Sequence, residues 1–131
     1  MRGAIARLIL AGIFILAPLS TLAEGAMRVL ECSFDQLCDS RANCKPASGA
    51  VVFNMEPLKL DDNGAGSYEV SYADNKLGME AMSFAGPFFW NTEGEMHTLL
   101  ANSESRFLWH RLNLSSKPEA NMQFLHCTFT Q

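Results

Sequence analysis

Positive charge is scarce in this chain. Ten Lys and Arg stand against fourteen Asp and Glu in 131 residues, a formal net charge of −4. An acidic surface of this kind is a poor partner for nucleic acid or an anionic membrane, both of which are gripped by Lys and Arg. Helical periodicity is also nearly missing, and no internal repeat or low-complexity tract is present. There is no G-x-S-x-G, no H-E-x-x-H, no H-x-H and no C-x-x-C. These absences remove the usual marks of a hydrolase nucleophile, a zinc protease and a dithiol redox centre. Cysteines number four and histidines three, so any chemistry built on them rests on very few residues.

The one long apolar run lies at the start. Arg2 and Arg7 precede "LILAGIFILAPL", followed by "STLA" with Thr21 and Ala23 at the small-residue positions before a cut. That order reads as a secretory signal peptide spanning residues 1–23, cleaved before Glu24. The run is too short for a membrane-spanning helix, which needs roughly 20 apolar residues. Removing Arg2 and Arg7 takes two positive charges from −4 and leaves −6 on the mature chain. Residues 24–131 are then expected to form one β domain, exported to the periplasm or the extracellular space. No segment of it is apolar enough to span a bilayer.

Short stretches of period-two alternation, divided by turn residues, run along the mature chain. They are "RVLECSF", "AVVFNM" (ended by Pro57), "SYEVSYA", "MEAMSF", "FFWN", "MHTLLAN", "RFLWHRLNL" and "MQFLHCTFT". Seven or eight such strands with short links predict an antiparallel meander closed as a small barrel or barrel-like sandwich. A short helical turn is expected near Asp35–Ser40, capped by Ser33 or Asp35.

Cys32, Cys38 and Cys44 are spaced by six positions, and Cys127 lies near the other end. Structural zinc sites pair ligands two to four residues apart, and this spacing does not. An even cysteine count in an exported chain reads instead as disulfides. Of the three possible pairings, one is favoured by the likeness of "VLECSF" and "FLHCTF". Two such strands side by side would join Cys32 to Cys127 and leave Cys38–Cys44 as a local staple.

Candidate sites are few. His97, His110 and His126 fall on three different strands. Should they face one another they would make a metal site or serve a hydrolase, the alternative to a binding role. The carboxylates Asp61 with Asp62 and Glu93 with Glu95 sit in turns and read as solvated. "DDNGAG" lacks the regular oxygen ligands of a calcium loop. Asn113-Leu114-Ser115 fits the N-glycosylation pattern. The aromatics Phe88, Phe89, Trp90, Phe107 and Trp109 are the strongest candidates for contact with an apolar ligand or an envelope protein, against the simpler reading that they fill a core. Three consecutive aromatics cannot all point inward on a strand, which favours Phe88–Trp90 as a surface feature.

In its cysteine frame the chain resembles a group of small exported bacterial proteins. These carry a signal peptide, an E-C-x-F strand with two further cysteines close behind, a β meander and a Cys-bearing last strand. Here the matching residues are "ECSF", Cys38, Cys44 and "HCTF". The resemblance implies export and the same β plan, and it brings no activity, cofactor or site residue. The expectation is a non-enzymatic exported β protein, without cofactor, that binds a small apolar ligand or a protein. A third class, a structural subunit of an envelope assembly, would show as self-association.

Overall fold

The computed structural model describes residues 26–130; the expected signal peptide, residues 1–23, lies outside them. Nine strands follow in order: β1 (Arg28–Cys38), β2 (Cys44–Pro46), β3 (Ala50–Leu60), β4 (Gly66–Tyr72), β5 (Asn75–Ala81), β6 (Phe88–Thr92), β7 (Glu95–Ala101), β8 (Arg106–Asn113) and β9 (Glu119–Thr130). From β3 to β9 each strand pairs antiparallel with the next, and β3 also pairs with β1. β1 pairs with β9 along its length and closes the ring. The result is an all-β, antiparallel, eight-stranded barrel, with β2 as a short ninth strand. The weakest seam of the ring is β5–β6, which pair only at Glu80 with Phe89 and Ala81 with Phe88, so residues 75–79 of β5 leave part of an edge unpaired on that side. Among the described residues no helix is long and apolar enough to cross a membrane.

Both disulfides follow from the register. Cys32 and Cys127 are direct partners where the first strand meets the last. Cys38 and Cys44 are direct partners across the β1–β2 hairpin. The loop between them is organised by Asp39, whose carboxylate accepts from the backbone N–H of Arg41 and Asn43 and from the Asn43 side chain. Those bonds, the Asn43 side-chain one foremost, hold the Asp39 carboxyl below its ordinary range.

The helical turn expected near Asp35–Ser40 does not form. β1 runs on as strand to Cys38, and only Ser40 and Arg41 turn. The cause is a bulge: pairing with β9 shifts register between Phe34 and Gln36, leaving Asp35 as the extra residue. Phe34 and Leu37 then fall on one side of the strand, a spacing of three that imitates a helix. Pro57 likewise does not end β3. Pairing with β4 shifts between Pro57 and Lys59, and Leu58 is the residue left over. The expected "MEAMSF" strand stops at Ala81, and residues 82–87 form a loop.

The lumen is largely filled. Leu30, Phe53, Met55, Tyr68, Val70, Met79, Phe88, Leu99, Phe107 and Leu125 are buried there with Cys32 and Cys127. An eight-stranded barrel has an interior just wide enough to be packed by side chains or to admit one small ligand. One end is closed by residues 82–87: the backbone N–H of Phe84 donates to the Asn63 carbonyl, and Arg28 donates to the Phe84 carbonyl. The opposite end, where β4, β6 and β8 finish and β3, β5, β7 and β9 begin, has a different make-up.

Candidate functional site: the open mouth of the barrel

Inward-facing positions near that second end hold an aromatic cluster. Phe53 on β3 meets the rings of Tyr72, Trp90 and Trp109 at centroid distances of 5.3, 5.9 and 5.2 Å. His97, on β7, is the one buried polar or charged residue found among the described residues, at 3 % exposure. Its ring lies parallel to Trp90, 5.1 Å between centroids and 3° between planes. Alternation along each strand places them: Trp90 and Thr92, Glu95 and His97, Trp109 and Arg111 each share a face two residues apart.

The hydrogen bonds fix the state of the imidazole. Trp109 Nε1–H donates to His97 Nδ1 at 3.1 Å. An indole nitrogen only donates, so Nδ1 is the bare nitrogen and Nε2 carries the hydrogen. Nε2 lies 3.2 Å from Thr92 Oγ1 and 3.5 Å from Glu95 Oε2. The ring is neutral, and the contact with Glu95 is therefore no ion pair. Burial pushes the His97 pKa below its ordinary 6.5, the nearby Arg111 acts in the same sense, and Glu95 opposes. Glu95 is matched instead by Arg111, whose Nη2 donates to Oε2 at 2.8 Å. The Arg111 guanidinium also lies 5.3 Å from the centre of the Trp109 ring. Deeper, Trp90 Nε1–H donates to the Tyr72 hydroxyl at 3.0 Å. Burial raises the Tyr72 pKa, with the Trp90 bond opposing, so the phenol stays protonated.

Above this cluster a cavity of about 380 Å³ opens to solvent. Phe34, Ala50 and Val51 form its apolar wall on β1 and β3, and Thr92, Glu95, Arg111 and Gln123 form a polar wall on β6 to β9. Tyr72, His97 and Trp109 make the floor between them. Two buried atoms on the polar side, Arg111 Nε and Gln123 Oε1, have no hydrogen-bond partner within the protein. The volume falls in the roughly 300–1,000 Å³ range of small-molecule sites. With both ring nitrogens engaged, His97 has no free lone pair to act as a base on anything in the cavity.

The sequence candidates separate on this frame. Phe88, Trp90, Phe107 and Trp109 all point into the lumen, and of these Trp109 alone lines the mouth. Phe89 is on the outer face of β6, 41 % exposed. The three histidines do not converge. His97 faces inward, whereas His110 and His126 are on the outer faces of β8 and β9, opposite Trp109 and Cys127. Among the described residues no group of three His, Cys, Asp or Glu side chains is placed to hold a metal ion, so the three histidines form no shared metal site. Asp61 caps its own turn, accepting from the N–H of Asn63 and Ala65. Glu93 is exposed in the turn, but Glu95 belongs to the mouth through Arg111. Asn113 is exposed at the end of β8, its side-chain oxygen taken by the N–H of Ser115.

Tyr72, Thr92, Arg111 and Gln123 are not among the sequence candidates, and Glu95 reads there only as a solvated turn residue. The available signal was Glu95-x-His97 and Trp109-x-Arg111 at period two on consecutive strands. Comparison with known proteins matches no family model, no curated protein and no solved structure.

Proposed function

We propose that the protein is an exported, non-enzymatic binding protein whose barrel mouth holds a small amphipathic ligand. The observation that carries this reading is the two-sided cavity: an apolar wall of Phe34, Ala50 and Val51 faces a polar wall centred on Arg111 and Glu95. Arg111 and Glu95 neutralise each other at 2.8 Å and His97 is neutral. The mouth therefore offers hydrogen bonds without a strong net charge, which suits an uncharged or zwitterionic molecule with an apolar part. This departs from the small apolar ligand or protein partner that the aromatics suggest, by adding a polar side to the ligand. Two disulfides accord with an oxidising compartment, as does the leader-like sequence of residues 1–23.

The test uses ¹⁵N-labelled protein and benzamide, a small uncharged amphipathic probe. The sequence holds two tryptophans, so two indole N–H signals report on the barrel. A saturable shift of the Trp109 signal, weakened in Arg111→Met, is the expected result. Shifts confined to the neighbours of Phe89 would move the binding face to the outside of the barrel and favour a protein partner. Export is checked by the mass of protein recovered from an exporting host, which should correspond to a chain beginning at Glu24.

A further inference from the structure

We infer that His97 makes the mouth a pH-gated site: the neutral imidazole holds Trp109 in place as the floor, and a proton on Nδ1 unseats Trp109 and weakens ligand binding. This regulation rests on the reading of the mouth as a ligand site, but the movement of Trp109 can be measured without any ligand.

The geometry leaves the proton one entry. Nε2 already carries hydrogen, so a second proton must go to Nδ1. Trp109 Nε1–H points at that atom from 3.1 Å. Protonation would set two donors against each other across a hydrogen-bond distance, with a positive charge on one of them. The imidazole has little freedom to turn aside. It lies flat on Trp90, and Trp90 is itself held by the Tyr72 hydroxyl. Trp109 packs on Phe53 and Tyr72, but it also lines the cavity, which gives its indole space to swing into. It is the group we expect to yield.

The charges facing His97 amplify the change. They come from β7 as Glu95 and from β8 as Arg111, with the protonated phenol of Tyr72 on β4 and the hydroxyl of Thr92 on β6. Glu95, 3.5 Å from Nε2, would be drawn to the imidazolium and away from Arg111. Arg111, lying against the Trp109 ring, would lose its carboxylate as its platform moves. One proton thus rearranges Trp109, Arg111 and Glu95 together, and all three line the mouth. His110 and His126 face outward and cannot substitute. Imidazole is the side chain whose ordinary titration falls between about pH 5 and 8. The crowding of His97 places this switch on the acidic side of that range.

The experiment follows the two indole N–H signals and the His97 ring signals from about pH 8 to about pH 4.5, and benzamide affinity at about pH 7.5 and about pH 5. The expected result is a shift of the Trp109 indole signal with the same midpoint as His97, below 6.5, and affinity about tenfold or more weaker at the lower pH. His97→Gln offers Trp109 a non-titrating amide oxygen; its benzamide affinity should be the same at both pH values. A Trp109 signal that stays put while His97 titrates overturns the switch, and so does an affinity equal at both pH values in the unaltered protein. If His97→Gln does not fold, the titration of the unaltered protein still decides. Absence of benzamide binding at both pH values strikes the ligand reading of the mouth, while the coupled titration of Trp109 and His97 is read independently of it.

Discussion

Trp109 gives its single side-chain donor hydrogen to His97, and Nε2 of the imidazole lies against Thr92 and Glu95. Replacing Trp109 with Phe keeps an aromatic ring in the lumen but strips Nδ1 of its donor. A buried acceptor left without a partner costs about 1–3 kcal/mol, so Trp109→Phe should lower unfolding stability by that order in urea titrations. The lost bond also favoured the neutral imidazole. The His97 midpoint, read by NMR, should therefore rise toward 6.5. At this scale sequence reading reached only part of the site. Trp109 stood out as an aromatic, but Arg111 and Glu95 look like ordinary strand-end charges until the fold brings them to 2.8 Å.

The strands themselves were mostly legible, because an inward face of Leu30, Cys32 and Phe34 or of Phe107 and Trp109 repeats every two residues. Legibility failed where a bulge inserted one residue. Asp35 in β1 and Leu58 in β3 each break the alternation, and a broken alternation reads as a helix or as the end of a strand. Elements also end where backbone conformation demands it. Gly66 begins β4 with φ +137°, and a Cβ there would overlap the Lys59 carbonyl oxygen on β3. Gly66→Ala should cost more than about 1 kcal/mol, since both the conformation and the space favour glycine. Gly78, on β5, has nothing within 4 Å of the position its Cβ would take. Gly78→Ala should be neutral or stabilising by up to about 1 kcal/mol. Denaturant midpoints of the two variants, compared side by side, check the contrast.

For the molecule as a whole, the β1–β9 seam decides stability. Cys32–Cys127 spans a sequence separation of 95 and Cys38–Cys44 one of 6. In the chain-entropy picture the first contributes about 4–5 kcal/mol and the second about 2 kcal/mol. A small domain holds roughly 5–15 kcal/mol in all. The double change of Cys32 and Cys127 to Ser should leave a barrel that is marginal or unfolded by circular dichroism, whereas the same change at Cys38 and Cys44 should leave it folded with a lower midpoint. Stability should also depend on pH through His97. Its folded pKa lies below its unfolded value of 6.5, so the unfolded chain takes up the proton first. Its contribution is complete above 6.5 and is lost as pH falls toward the folded pKa, at no more than about 1.4 kcal/mol per pH unit. His97→Gln should flatten that part of the curve in thermal melts taken across the window.

The sequence by itself determined the all-β class, the count of strands to within one, and both disulfide pairings. Period-two alternation and matching flanks around two cysteines are local properties, readable one segment at a time. Only the tertiary structure decided between barrel and sandwich, sent His110 and His126 to the outer face, and built a mouth from Arg111, Glu95, His97 and Trp109. Those outcomes depend on which strands become neighbours and in what register, and a shift of one residue turns every side chain of a strand to the other face.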